Sequence, residues 1–189
     1  MRDMLKPALV LFIAALATAL ILCAMQVMTK DVVAANAEKA RLEAMQEVLP
    51  NASAGAFADT VDTGDTSGVV SYADCLAPDG TVLGAALTAV VKGYGGDMTI
   101  LVGVDEQNAV TGVRILSHTE TPGLGANAEK DSFLSQYIAK TGVLSVSRTS
   151  PRGNEIQAIT SATITSRAVT EGVNAALSFN AARQAGGAQ

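Results

Sequence analysis

The feature that most constrains this chain is an uncharged, apolar run of 23 residues at positions 7–29, between Lys6 and Lys30. A helix of that length extends about 34 Å at 1.5 Å per residue, enough to cross a hydrocarbon core of about 30 Å. A helix also satisfies its own backbone hydrogen bonds, which lipid cannot do. Residues 1–29 are therefore predicted to form a short N-terminal tail and a transmembrane helix.

A cleaved signal peptide is the alternative interpretation of the same segment. Arg2 and Lys6 precede the run, and residues 35–37, Ala-Asn-Ala, have the small-x-small form of a cleavage site. The run is longer than the roughly 7–15 apolar residues of a signal peptide, and Lys30 and Asp31 separate it from that site. These points favour an uncleaved anchor. The positive charges on the two sides of the run do not decide its orientation.

Composition excludes several kinds of protein. The 189 residues carry 13 Lys plus Arg against 18 Asp plus Glu, a net charge of −5, and 4% are aromatic. An acidic chain without a basic run is a poor candidate for binding nucleic acid. Two Cys and one His are too few for a four-ligand zinc site or an iron–sulfur cluster. We therefore expect no metal centre.

The rest of the chain is typical of an α+β domain behind a stalk. Residues 30–68 predict a stalk helix, or simply the domain's first helix, ended by Pro50 and followed by an acidic surface loop without an EF-hand pattern. Residues 69–183 predict one domain, with a mainly antiparallel sheet followed by helices that pack on it. Residues 184–189 are expected to be a disordered tail. The predicted strands are 69–75, 81–91, 98–104, 110–117 and 143–147, and the predicted helices lie near 126–140 and 168–177.

Three segments carry residues that suit either turns or a ligand. Residues 159–166, Ile-Thr-Ser-Ala-Thr-Ile-Thr-Ser, precede the last helix, where hydroxyls cap free N–H groups and the same N–H groups suit a phosphate. Residues 118–125, His-Thr-Glu-Thr-Pro-Gly-Leu-Gly, contain a Pro-Gly turn. Residues 93–96, Gly-Tyr-Gly-Gly, place Tyr94 either against a flat ring or in a turn. His118 has no Cys or Ser partner nearby, which favours a surface or packing role.

Together, the N-terminal run, KGYGG, ETPGLG and ITSATITSRAV resemble the FMN-binding domain family, in particular the G subunits of Rnf ion-translocating electron-transport complexes. The resemblance covers the chain from the anchor to the last helix. It implies covalent FMN, whose phosphate a flavin transferase esterifies to the last Thr of an [ST]-G-A-T motif. Here the motif is Thr160-Ser161-Ala162-Thr163, which makes Thr163 the expected acceptor, with Thr165 and Ser166 as alternatives.

Two departures from the family pattern stand in or near the motif. Ser161 occupies the usual Gly position, and Gln157 stands where an Asp often precedes the motif. The resemblance also implies which residues wall the flavin ring. They are Gly93, Tyr94, Glu120, Thr121, Gly123 and Leu124.

The resemblance implies electron transfer through the flavin, so that no side chain has to act as acid, base or nucleophile. The expected protein is the electron-carrying subunit of a ferredoxin:NAD⁺ oxidoreductase that translocates Na⁺ or H⁺. It would be a single-pass protein of a bacterial cytoplasmic membrane, with its FMN domain on the outer face and with lipid and the other Rnf subunits as partners. The alternatives are the FMN subunit of a sodium-pumping NADH:quinone reductase and a flavin-free anchored protein-binding domain.

Overall fold

The computed structural model describes residues 2–50, 56–64 and 68–186. Met1 and residues 51–55, 65–67 and 187–189 lie outside the described residues, and with them parts of the predicted acidic loop and of the predicted disordered tail. The chain divides into two compact units, with the boundary between Glu43 and Ala44.

The first unit consists of most of one long helix. Helix α1 runs over Arg2–Val48, so the predicted boundary between anchor and stalk at residues 29 and 30 does not interrupt it. Among the described residues, no helix combines the length and the apolar character needed to cross a bilayer, and the predicted span is not confirmed. Large apolar side chains in the described part of α1 between residues 11 and 28 are nevertheless 50–80% exposed. They are Leu11, Phe12, Ile13, Leu16, Leu20, Leu22, Met25 and Met28.

The second unit is built on a six-stranded sheet in which every described pairing is antiparallel. The antiparallel prediction is therefore confirmed. The order is β1-β3-β4-β5-β6, and β2 also pairs with β3. The strands are β1 Ala56–Phe57, β2 Val61–Asp62, β3 Val69–Leu76, β4 Val82–Lys92, β5 Asp97–Asp105 and β6 Val110–Ser117. Strands β1 and β2 lie in the segment after Pro50 that was predicted to be a loop, and they correct that prediction. They were missed because two-residue strands are too short to show an alternating pattern.

The remaining elements follow β6. The predicted helix near 126–140 is instead a series of short turns: a 3₁₀ turn at Gly125–Glu129, α2 at Asp131–Leu134 and a second 3₁₀ turn at Ser135–Tyr137. Strands β7 (Ser145–Ser147) and β8 (Glu155–Gln157) form a small parallel sheet. Helix α3 covers Thr163–Gly186, so it reaches into the segment 184–189 that was expected to be disordered.

Helix α3 packs on one face of the large sheet and forms the main core. The buried apolar side chains of α3 recur every three or four residues, as an amphipathic helix requires. They are Ala168, Val169, Val173, Ala176 and Leu177. Gly172 lies so close to the sheet that a Cβ there would overlap the Ile100 side chain. This packing fixes the position of α3 on the sheet, and with it the position of its N-terminal end.

The opposite face of the sheet is covered by the end of α1. Residues Ala44, Met45, Val48 and Leu49 form a second core with Ala73, Cys75, Ala86 and Leu101. Gly103 and Gly112, paired across β5 and β6, form what we call the glycine notch, which receives the Val48 carbonyl. Thr111 Oγ1 donates a hydrogen bond of 2.6 Å to the same carbonyl. The compact unit therefore begins at Ala44, well before the boundary expected at residue 69.

Candidate functional site

A cleft of about 570 Å³ opens at the N-terminal end of α3. Its volume lies within the roughly 300–1,000 Å³ that small-molecule sites occupy. The three motif segments converge on it, together with one arginine from the loop after β7. The lining residues are Tyr94, Glu120, Thr121, Leu124, Gly125, Arg148, Ser161, Ala162, Thr163, Ile164 and Thr165. Among the predicted site residues, Gly93, Gly123 and Thr160 do not line it.

The first turn of α3 presents free backbone donors beside this cleft. The Ser166 N–H donates to the Ala162 carbonyl at 3.0 Å, so the amides of residues 163–165 precede the first intrahelical hydrogen bond. Free N–H groups and the helix dipole both favour an anion at this end. Thr163 is half-buried and faces the cleft, and its hydroxyl has no hydrogen-bond partner among the described residues.

The two alternative acceptors are placed differently. Both Thr165 and Ser166 are fully buried. Thr165 Oγ1 donates to Glu120 Oε2 at 2.7 Å. Ser166 Oγ donates to the Ala162 carbonyl at 2.9 Å and accepts from the Ile159 N–H at 3.0 Å. Because both hydroxyls are buried and hydrogen-bonded, the geometry favours Thr163 for any chemistry in the cleft.

Glu120 is a buried carboxylate, 6% exposed, at the wall of the cleft. Besides the Thr165 hydroxyl, it accepts the Gly95 N–H on Oε1 at 2.9 Å. Burial alone raises the pKa of this carboxyl, but the hydrogen bonds from Gly95, Thr165 and Tyr94, together with nearby His118, hold the pKa below its ordinary value. Glu120 is therefore ionised at neutral pH.

The only histidine supports Glu120 from outside the cleft. His118 Nδ1 accepts the Glu120 N–H at 3.0 Å, and its Nε2 lies 3.0 Å from Glu129 Oε1. Both ring nitrogens are thus engaged, as in a packing residue that orients the loop.

Comparison with known proteins places this site in a family. Residues 93–178 match the family described as FMN-binding domain, and residues 1–48 match the RnfG N-terminal region. The chain is 36% identical over 146 residues to the G subunit of the Na(+)-translocating ferredoxin:NAD(+) oxidoreductase complex of Acetobacterium woodii, covering 69% of each protein. It is also 32% identical to the G subunit of the ion-translocating oxidoreductase complex of Aliivibrio fischeri, covering 95% of this chain and 91% of that protein. The chain belongs to the family of G subunits of Rnf-type ion-translocating oxidoreductase complexes.

Two further similarities are more restricted. The G subunit of the proton-translocating ferredoxin:NAD(+) oxidoreductase complex of Clostridium ljungdahlii is 51% identical over 87 residues, so the match spans about half the length of that relative, 47%. The crystal structure of Shewanella oneidensis NqrC aligns with a TM-score of 0.50 and 18% identity over 61% of each chain. At that identity the likeness shows the fold alone.

For a member of this family, the departure at Ser161 has a structural meaning. The Ala162 N–H donates to the Ile159 carbonyl at 3.0 Å, which closes a turn with Thr160 and Ser161 at its centre. Ser161 has φ +63°, in the left-handed region where a side chain costs about 1 kcal/mol and glycine costs least. A glycine at position 161, which the resemblance implies for this motif, would therefore avoid the strain that Ser161 retains.

Replacement of Ser161 by glycine should stabilise the domain by roughly 0.5–1 kcal/mol, because relief of the left-handed strain exceeds the added chain entropy. Urea unfolding of the flavin-free protein measures the change. Ser135 is the matched control, since it is exposed with φ −62°, and Ser135→Gly should destabilise. Equal effects of the two substitutions would show that the turn carries no strain.

Sequence reasoning missed Arg148 and did not assign Ile164. Arg148 follows β7, and its guanidinium has no ion-pair partner within the described part of the chain. A planar guanidinium suits phosphate or carbonyl oxygens. No sequence pattern assigns an isolated Arg in a polar loop to a binding site, because its position depends on how the loop folds beside α3. Ile164 is recognisable only once α3 is known to begin at Thr163.

The ionised state of Glu120 predicts a particular acid sensitivity. In the folded protein the pKa of Glu120 lies below its ordinary value of about 4.3. The stability that the ionised carboxylate contributes is therefore present above about pH 4.3, and it is lost as the pH falls through the pKa of the folded state. The unfolding free energy should therefore fall less between about pH 5 and pH 3 in Glu120→Gln than in the wild type. Chemical denaturation across this range measures it. Glu106→Gln, which removes an exposed carboxylate, should keep the wild-type slope.

Proposed function

We propose that this chain is a membrane-anchored flavoprotein subunit that carries covalent FMN and relays electrons in an Rnf-type complex. Its relatives are named as subunits of ferredoxin:NAD⁺ oxidoreductases that translocate Na⁺ or protons. One observation carries the proposal of covalent attachment. It is the unbonded, half-buried Thr163 hydroxyl, which faces the cleft from the first turn of α3.

The residues of the cleft fit the chemistry of FMN. Three apolar side chains at the cleft are exposed and suit a flat aromatic ring: Tyr94 at 71%, Leu124 at 44% and Ile164 at 54%. A phosphate on Thr163 would gain about 0.3–1 kcal/mol from the dipole of α3. Arg148 supplies a positive charge at the same cleft.

When bound, the flavin supplies the electron transfer, and the chain binds and orients it. The cleft contributes a hydroxyl for attachment, backbone donors for the phosphate and an apolar wall for the ring. Glu120 and His118 are held by neighbouring groups rather than turned toward a substrate. The proposed role is therefore that of a carrier whose activity requires the other subunits of the complex.

Membrane attachment is part of the same proposal. The exposed apolar side chains of α1 between residues 11 and 28 are distributed around the helix axis, which is typical of a helix buried on all sides or inserted in lipid. Residues 7–29 carry no charge. We assign the chain as a single-pass protein of a bacterial cytoplasmic membrane, with the FMN domain on the outer face.

The experiment that tests the proposal uses the full chain coexpressed with a flavin transferase. The protein band is expected to fluoresce after denaturing electrophoresis, because only a covalently bound flavin remains attached to the unfolded polypeptide. Trypsin should then release residues 153–167 with the added mass of one FMN less one water. A dark band beside a fluorescent control flavoprotein would contradict the proposal and leave a flavin-free anchored protein-binding domain. Copurifying subunits distinguish an Rnf-type complex from a sodium-pumping NADH:quinone reductase.

A further inference from the structure

We infer that Glu120 is a positioning residue: through the Thr165 hydroxyl it holds the first turn of α3 in the conformation in which Thr163 accepts the flavin phosphate. This inference rests on the proposed covalent attachment. Glu120 itself would not touch the reacting atoms. Its contacts explain why the three motif segments lie together.

The contacts of Glu120 join all three motif segments. The carboxylate belongs to residues 118–125, its Oε1 accepts from Gly95 in residues 93–96, and its Oε2 accepts from Thr165 in α3. Residues 93–96 and 118–125 also contact each other directly, since Thr119 Oγ1 donates to the Gly95 carbonyl at 3.0 Å. One buried anion therefore fixes the relative positions of the loops and the helix.

Two motif glycines make room for this carboxylate. A Cβ placed at Gly93 would overlap Glu120 Oε1, and a Cβ placed at Gly125 would overlap Oε2. Neither glycine has a positive φ, so close approach rather than backbone conformation accounts for them. Gly93 does not line the cleft, yet it is needed for the Glu120 contacts on which the cleft depends.

The first turn of α3 needs such support because its amides lack intrahelical partners. A hydrogen bond between a hydroxyl and a carboxylate is charge-assisted and stronger than a neutral one. Ser166 holds the start of the same turn through the Ala162 carbonyl and the Ile159 amide. Thr163 lies in the chain between Ala162, whose carbonyl is bonded by Ser166, and Thr165, which is bonded to Glu120, and its own hydroxyl remains available to the cleft.

In the attachment step, Thr163 Oγ1 forms a bond to phosphorus of a pyrophosphate-activated flavin donor. The P–O–P bond breaks, a nucleoside monophosphate leaves, and the hydroxyl proton goes to solvent or to the leaving group. No electrons are transferred. A loosened turn would lower the fraction of molecules with Thr163 correctly placed, and so would slow attachment.

The test compares three variants of the full chain. Thr165→Val removes the donor to Glu120, Thr165→Ser restores it, and Thr170→Val is the matched control. Thr170 is a buried threonine of the same helix whose hydroxyl bonds Tyr137 and the Ser166 carbonyl, away from Glu120. The first measurement is hydrogen exchange of the amides of residues 93–96 and 160–166 without flavin. The second is the rate of flavin attachment by a purified transferase.

Thr165→Val should attach flavin about 10-fold more slowly, with the loss mainly in kcat, because a hydrogen bond to a charged group is lost. Its amides at 93–96 and 160–166 should exchange faster by a similar factor. Thr165→Ser should be close to the wild type, and Thr170→Val should keep wild-type attachment even if it lowers the unfolding temperature. Wild-type attachment by Thr165→Val, or equal slowing by Thr170→Val, would overturn the inference.

A wild-type chain that takes up no flavin would refute the proposed function, and hydrogen exchange alone would then decide whether Glu120 orders the turn. Equal exchange in Thr165→Val and the wild type would overturn the positioning role in that case as well. A flavinylated wild type with unchanged exchange and unchanged rate in Thr165→Val would overturn the inference and leave the proposed function standing.

Discussion

Thr163→Ala should lose the covalent flavin completely and remain folded. The acceptor hydroxyl is absent, and the neighbouring hydroxyls of Thr165 and Ser166 are buried and already hydrogen-bonded. Because the Thr163 hydroxyl has no hydrogen-bond partner among the described residues, its loss should cost less than a lost helix cap does, about 1 kcal/mol, against a typical domain stability of about 5–15 kcal/mol. The expected effect is therefore all-or-none on the flavin and small on the fold.

In-gel fluorescence of the coexpressed variant measures the flavin, and thermal unfolding of the same preparation measures the fold. Thr163→Ser is the control that keeps a hydroxyl, and it should retain fluorescence. Fluorescence that persists in Thr163→Ala would place the attachment elsewhere, and the tryptic peptide carrying the flavin would identify the position.

Substitution in the glycine notch should produce the largest loss of stability. A methyl at Gly103 would overlap the Val48 carbonyl oxygen, and a methyl at Gly112 would lie 2.5 Å from Val48 Cα. Both clashes are with backbone, which cannot rotate away as a side chain can. We expect Gly103→Ala or Gly112→Ala to cost about 2–3 kcal/mol, or roughly 5–10 °C in the unfolding temperature.

Gly186→Ala is the matched control for the notch, because no atom lies within 4 Å of a Cβ built there. This control should unfold within a degree or two of the wild type. Calorimetry of the three variants gives the comparison. If the notch variants unfold at the wild-type temperature, the end of α1 does not rest against the two glycines as described.

The parts of the fold that could be predicted are those with short-range signals. The turn at Pro78-Asp79-Gly80 marks β3 and β4 as a hairpin, and the four-residue repeat of Ala168, Gly172 and Ala176 marks the buried face of α3. The boundaries of β3 to β7 lie within a few residues of those predicted, whereas β8 was not predicted. Strands β1 and β2 were missed because two residues contain no period to detect.

The candidate site divides in the same way. The residues themselves marked three segments that suit either turns or a ligand, the family resemblance implied FMN, and the structure brings Tyr94, Glu120 and Thr163 into one cleft. The carboxylate contacts of Glu120 to Gly95 and Thr165 span 25 and 45 positions, so they depend on how distant segments pack. Arg148 was missed for the same reason. Local sequence patterns specify elements, whereas the polar contacts between elements require the assembled fold.

The central strands β4 and β5 bury alternate residues in two separate cores. Leu87 and Ile100 belong to the core beneath α3, whereas Ala86 and Leu101 belong to the core beneath the end of α1. Gly112→Ala, beside the end of α1, and Thr163→Ala, at the start of α3, should therefore combine additively, because residues without shared contacts are energetically independent. The sheet therefore keeps the packing around α3, whose start borders the cleft, apart from the packing that secures the end of α1, and a substitution on one face need not loosen the other.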